Sequence, residues 1–90
     1  MKRKLKMNRI LEEIKEENPE ALLADGFDDA ILGIGRRCGQ PSLVVYSTPR
    51  CIKILMEDMN CSEEEAMEFF EFNVVGAWVG EHTPIFVDTY

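Results

Sequence analysis

Apolar residues recur at helical spacing from residue 62 to residue 79, and this stretch organises the predicted fold. Ser62 followed three positions later by Glu65 is the signature of a capping box, and Gly80 is placed to end the helix. With a turn of about 100° per residue, one side of this helix carries Ala66, Met67, Phe70, Val74, Ala77 and Trp78. The pattern therefore predicts one long amphipathic helix with Phe70 and Trp78 as its core anchors.

Two apolar residues interrupt the acidic side of this helix. Phe72 and Val75 lie three positions apart, bordered by Glu68 and Glu71. In a chain too short for spare core, such a pair is typical of a covered surface. We expect the cover to be either the apolar stripe of the N-terminal helix or the same surface of a second copy. If neither covers it, the pair becomes a docking patch for a partner protein.

The first part of the chain predicts two helices. Met7, Ile10, Leu11 and Ile14 recur at helical spacing and give a narrow stripe. Asn18-Pro19 ends this helix, because the residue before a proline avoids the α region, and it starts a short second helix that ends at Gly26. The interpretation divides the chain into a basic amphipathic helix or arm (1–18) and an α+β domain (19–90).

Short β-favouring runs supply the predicted sheet. Residues 30–35 and 43–46 form a hairpin, and residues 85–87 form a third strand that starts after Pro84. Gly33 and Gly35 share one strand face, where a helix or a ligand must come close.

A further helix connects the hairpin to the central helix. Thr48 is expected as its cap, Pro49 as its first residue and Asn60 as its left-handed end. The prediction is thus a small single α+β domain in the order α-α-β-β-α-α-β, with a short antiparallel sheet packed on the central helix.

Charge is unevenly distributed along the chain. The formal net charge is −7. Residues 1–15 carry six basic and two acidic side chains, whereas residues 16–90 carry four basic and fifteen acidic side chains. An acidic body of this kind repels nucleic-acid phosphate, so direct nucleic-acid binding is not expected. The helix that ends at Asn60 and the central helix form a predicted helix–turn–helix pair. The second of these helices begins with Ser-Glu-Glu-Glu, which does not suit a helix that reads DNA bases.

Targeting signals and cysteine spacing favour a cytoplasmic protein. No apolar run approaches the length that a membrane span needs, and no leader pattern opens the chain. Cys38, Cys51 and Cys61 are odd in number and lack CxxC spacing, which is typical of reduced structural thiols. We expect no metal and no cofactor.

Two stretches contain polar side chains that could take part in catalysis or metal binding. Asp28 and Asp29 cluster at a strand entrance, where they could hold Mg²⁺ or act as a base, but adjacent strand residues point to opposite faces. They are interpreted as solvated turn residues. His82 lies beside Glu81, yet no nucleophile is placed near it by sequence.

Arg36 and Arg37 occupy the glycine-rich segment GIGRRCGQP, which lacks the spacing of a phosphate-binding loop. They are interpreted as the tip of a hairpin that could still hold an anion.

Several segments together resemble small proteins encoded by bacteriophages and prophages. These are GFDDAILGIGRRCGQP, CIKILM and, most specifically, FEFNVVGAWVGEHTP, so the resemblance spans about residues 20 to 88. It implies a genomic setting and assigns no catalytic residue.

The leading hypothesis is a non-catalytic binding protein in the host cytoplasm, docking on a host protein or assembling with itself in host takeover or anti-defence. The alternative is a small-molecule or nucleotide binder, or a minor enzyme, that uses Asp28, Asp29, Arg36, Arg37 and His82.

Overall fold

The helices of this chain pack around a small mixed sheet. The computed structural model describes residues 2–78 and 80–89. Its elements are α1 (Lys2–Glu17), β1 (Ile31–Gly35), β2 (Leu43–Ser47), α2 (Thr48–Met59), α3 (Glu63–Phe69) and β3 (Ile85–Val87). A turn of 3₁₀ helix (Asp28–Ala30) precedes β1, while a π-helical turn (Phe70–Val74) and a second 3₁₀ turn (Val75–Ala77) follow α3. The predicted α+β single domain is confirmed.

The sheet has the order β1-β2-β3 and mixes both pairing directions. β1 and β2 form the predicted antiparallel hairpin, whereas β2 and β3 run parallel. The prediction of an antiparallel sheet is therefore wrong for the second strand pair. The reason lies in the connection, because α2 and α3 carry the chain back across the sheet before β3 begins.

Residues 19–25 do not form the predicted second helix. The N–H groups of Glu20 and Ala21 bind Asn18, and two further N–H groups of this segment bind distant parts of the chain. Leu22 donates its N–H to the His82 carbonyl at 2.9 Å, and Ala24 donates its N–H to the Tyr46 hydroxyl at 2.8 Å. Tertiary hydrogen bonds have overridden the local helical preference of this segment.

The predicted capping box at Ser62 and the left-handed end at Asn60 are confirmed. The Ser62 hydroxyl accepts from the Glu65 N–H, the Glu65 carboxylate accepts from the Ser62 N–H, and Asn60 adopts a φ of 50° at the end of α2. The predicted Thr48 cap is wrong, and Gly80 does not end the central helix, because Trp78 is already extended. Ser47, one residue earlier than expected, caps α2 by accepting from the Arg50 N–H.

The central helix changes its geometry halfway. Beyond Phe69 the α-helix gives way to the π turn, and the Val75 N–H is shared by the carbonyls of Phe70 and Glu71. Gly76 suits this turn, since a Cβ there would lie only 3.0 Å from the Glu71 carbonyl oxygen. The prediction of one continuous α-helix from 62 to 79 is therefore wrong, and Val79 lies outside the described residues.

One core cluster connects all the layers. Phe70 lies at its centre, edge-on to Phe27 and Phe86 with ring centroids at 6.4 Å and 5.2 Å. Its buried members include Ile14, Ala30, Val44, Tyr46, Cys51, Leu55, Ala66 and Val74. The predicted anchor Phe70 is confirmed, whereas Trp78 is extended and only half-buried against the cluster. Met67 and Ala77 are exposed, so these two parts of the predicted core face are wrong.

α1 packs against β1 and the Asp28–Ala30 turn through its C-terminal half. Ile14 is buried and Ile10 and Leu11 are partly buried against the core, while Met7 lies outside the described side chains.

The sheet also has a face turned away from the core. Val45 and Ile85 lie opposite each other there, and a Cβ at Gly35 would come within 2.9 Å of Val45 and 3.2 Å of Ile85. Gly35 is therefore required for a close approach, as expected, although the approaching groups are strand side chains and not a helix. Gly33 has open space around it, so the expectation of a close neighbour at this position is wrong.

Candidate functional site

Large apolar side chains are exposed along one side of the α3 and π segment. Phe72 is 75% exposed, whereas Phe70, two residues away in the same π turn, is 4% exposed. Phe69 and Val75 are also exposed, and residues three or four apart are neighbours on a helix surface. We define the Phe72 surface as Phe72, Phe69 and Val75 with the exposed acidic residues Glu68 and Glu71.

α1 does not cover this surface. Its main contacts are with β1 and the Asp28–Ala30 turn, and Phe72 stays exposed with the described residues in place. The expectation that the N-terminal stripe shields Phe72 and Val75 is therefore wrong. The alternatives of a second copy or a partner protein stay predictions.

A groove runs beside the Phe72 surface, between α2, α3 and the end of β3. It consists of a cavity of about 270 Å³ and an adjoining cavity of about 420 Å³. Both are lined by Thr48, Ile52, Met67 and Asp88, which makes them one continuous depression. Val75 and Glu71 line the smaller cavity, so the Phe72 surface forms one rim of the groove.

The pattern of residues along the chain does not indicate this groove. It places Met67 in the core and gives no role to Asp88, which follows β3. The walls come from three separate elements, whose meeting depends on the parallel placement of β3. The only local signal is the acidic residue placed directly after an apolar strand.

Two of the predicted polar residues, Arg36 and His82, belong to a hydrogen-bonded chain outside the groove. The Arg36 guanidinium donates to the Glu17 carboxylate, which also accepts from the Ser42 hydroxyl at 2.8 Å. Asn18, which is buried, donates through Nδ2 to the Ser42 carbonyl at 2.8 Å and to His82 Nδ1 at 3.1 Å.

This polar chain brings Arg36 and His82 into one network, which sequence alone could not show. Asn18 fixes the arrangement, because its Oδ1 accepts from the Glu20 N–H at 3.2 Å and so orients the amide. His82 Nδ1 is then the acceptor, and Nε2 lies 3.4 Å from Glu20 and 3.7 Å from Glu81. The network connects the end of α1, the β1–β2 loop and the segment before β3.

Electrostatics agree with a structural role for Arg36. The Arg36 hydrogen bonds, followed by that of Ser42, hold the pKa of the Glu17 carboxyl below its usual value. The Glu17 carboxylate in turn raises the pKa of Arg36, and Glu13 adds a second ion pair at 3.6 Å. The Arg36 charge is thus already neutralised by two carboxylates of α1.

Arg37 lies beside a different cavity. It lines a space of about 290 Å³ together with Arg36, Leu43, Glu81 and Ile85. Ile85 and Phe86 are adjacent on β3 and point to opposite faces, so this cavity and the groove lie on opposite faces of the sheet.

Asp28 and Asp29 are exposed in the 3₁₀ turn before β1, and no hydrogen bond or ion pair among the described residues joins them to Arg36, Arg37 or His82. The five polar residues of the alternative hypothesis do not converge on one site. Across residues 2–78 and 80–89, no group of three or more His, Cys, Asp or Glu side chains is arranged to hold a metal ion.

The cysteines are free thiols in three environments. Cys38 is exposed, Cys61 is half-buried and Cys51 is fully buried on the core side of α2. Burial raises the pKa of the Cys51 thiol to about 12, so it behaves as an apolar core residue.

None of the described helices combines the length and the apolarity that crossing a membrane requires. No protein-family model matches the chain, and neither the curated proteins nor the solved structures contain a match to it.

Proposed function

We propose that this chain is a non-catalytic binding protein that docks on another protein through the Phe72 surface. The observation that carries the proposal is the contrast within one π turn between buried Phe70 and Phe72, which is 75% exposed. An exposed Phe with Val75 and Phe69 beside it is an apolar anchor of the kind that protein interfaces bury. The π turn also marks the place, since such turns are frequent at functional positions.

The proposed setting is a bacterial cell infected by a phage, as the resemblance of residues 20–88 to small phage and prophage proteins implies. The proposed partner is a host protein in the cytoplasm, with self-assembly of this chain as the second form of the same hypothesis. The net charge of −7 supports a protein partner over nucleic acid, because phosphate would be repelled. A function in host takeover or anti-defence follows from the setting alone.

A capture experiment with two matched variants tests the proposal. The wild-type chain, Phe72→Ser and Leu23→Ser are each immobilised and exposed to host-cell lysate, and their masses in solution are measured over a range of concentrations. Leu23 is a suitable control because it is an exposed apolar residue outside the Phe72 surface. We expect wild type and Leu23→Ser to retain the same partner or the same oligomer, and Phe72→Ser to lose it. Equal behaviour of all three proteins would contradict the proposal.

A further inference from the structure

The groove beside the Phe72 surface has an apolar floor and an acidic rim. Ile52, Met67 and Phe86 supply apolar surface along its length. Glu71 and Asp88 border the smaller cavity, and Glu63 and Asp88 border the larger one.

Among the side chains that the structure describes, no Lys or Arg lines either cavity, although α2 carries Arg50 and Lys53 on its exposed surface. Carboxylates gathered around a low-dielectric depression give it a negative potential that attracts cationic groups.

β3 forms part of the wall of this groove and is also an edge strand. It pairs with β2 on one side only, and no described residue pairs with its other side in the sheet. Its outward N–H and C=O groups are therefore available to an added strand. A depression between an edge strand and a helix accommodates an extended peptide, whose backbone pairs with the strand while alternate side chains enter the depression.

We propose that this groove binds an extended, positively charged segment of a partner protein, which adds to the sheet along β3. An apolar side chain of the segment fills the space between Met67, Phe70 and Phe86, and its Lys or Arg residues lie against Glu63, Glu71 and Asp88. This inference rests on the proposed function and specifies the chemistry of the partner.

A second copy does not meet this requirement through the same surface. A two-fold contact would set each acidic rim against its equivalent, and like charges facing each other oppose association. The groove therefore selects a cationic segment and not the same acidic surface of a second copy.

Two labelled peptides serve as probes. One alternates lysine with valine and leucine, and the other replaces each lysine by glutamate. Fluorescence anisotropy measures their dissociation constants with the full chain, first at about 50 mM and then at about 300 mM salt, where exposed charges are more strongly screened. We expect the lysine peptide to bind and the glutamate peptide not to bind. The affinity for the lysine peptide should fall at the higher salt concentration.

Charge-reversed variants separate a specific groove from general attraction to an acidic protein. Asp88→Lys changes the rim, and Asp58→Lys makes the same charge change on α2 away from the groove. We expect Asp88→Lys to weaken binding by at least about tenfold, which corresponds to about 1.4 kcal/mol, and Asp58→Lys to change it far less. Equal weakening by both variants, or no binding of the lysine peptide, would overturn the inference.

Hydrogen exchange tests the added strand itself. Binding of the lysine peptide should slow exchange of the backbone amides between Ile85 and Asp88, because their outward N–H groups become hydrogen-bonded. Binding without this protection would refute strand addition. If the peptide fails while Phe72→Ser still abolishes capture from lysate, the inference falls and the proposed function stands; loss of that Phe72 dependence would count against the proposed function instead.

Discussion

Replacing Phe70 by alanine tests the assignment of the core most directly. The ring is 4% exposed and lies edge-on between Phe27 and Phe86. Removing a buried Phe side chain costs about 3–5 kcal/mol through lost transfer free energy and the cavity that remains. The two edge-to-face contacts, each worth about 0.5–1.5 kcal/mol, place Phe70→Ala in the upper half of that range.

The cost is large compared with the stability of the whole domain. A chain of 90 residues has a free energy of unfolding of about 5–13 kcal/mol, at about 0.05–0.15 kcal/mol per residue. Urea denaturation followed by far-UV circular dichroism measures the loss. With a slope of about 1–3 kcal/mol per molar urea, the midpoint should fall by at least about 1 M.

Phe72→Ala is the matched control, because it removes the same ring two residues away from a position that is 75% exposed. Its free energy of unfolding should change by no more than about 0.5 kcal/mol. An unchanged midpoint for Phe70→Ala, or an equal loss for Phe72→Ala, would show that the buried and exposed faces of the π turn have been assigned wrongly.

Three further predictions concern single groups. Tyr46→Phe should lower the free energy of unfolding by about 1–3 kcal/mol, because the buried Ala24 N–H loses its acceptor; an unchanged thermal midpoint would show that water replaces the hydroxyl. Ser62→Ala should cost about 1 kcal/mol through loss of the capping box with Glu65, whereas Ser62→Asp should retain most of it. Burial raises the pKa of Cys51 to about 12 from 9.0, so the unfolded chain loses its thiol proton first and stability must fall as the pH rises above 9. Denaturation at pH 8 and at pH 10 should differ by about 1.4 kcal/mol from this group, and Cys51→Ala should remove that difference.

Local signals in the sequence were sufficient for the features that depend on neighbouring residues. The capping box at Ser62, the left-handed Asn60 and the three short strands are all confirmed. Each of these is set by backbone preferences and hydrogen bonds within a few residues, so an isolated stretch of sequence contains the information.

Features that depend on distant contacts could not be predicted in this way. Residues 19–25 have a helical pattern, yet the N–H groups of Leu22 and Ala24 bind His82 and Tyr46 from other parts of the fold. The π turn is a local feature that was also missed, because helical periodicity does not reveal the close approach of the Glu71 carbonyl to Gly76.

The candidate site likewise has one part that the local sequence indicates and one part that depends on distant contacts. The apolar pair Phe72 and Val75 is visible as an irregularity in the sequence, and the structure places both at the surface. The groove beside them requires α2, α3 and β3 to meet, and nothing in the sequence of any one element indicates it.

The parallel pairing of β3 has a consequence for the order of folding. The β1–β2 hairpin and the α2–α3 pair each join neighbouring stretches of chain, whereas Val45 meets Ile85 only after both helices have been placed. Contacts between residues far apart in sequence form late, because loop-closure entropy opposes them until the intervening chain is ordered. β3 is therefore expected to dock last and to detach first in local unfolding. Since β3 is one wall of the groove, a ligand bound there would recognise only the completed fold and would slow its opening.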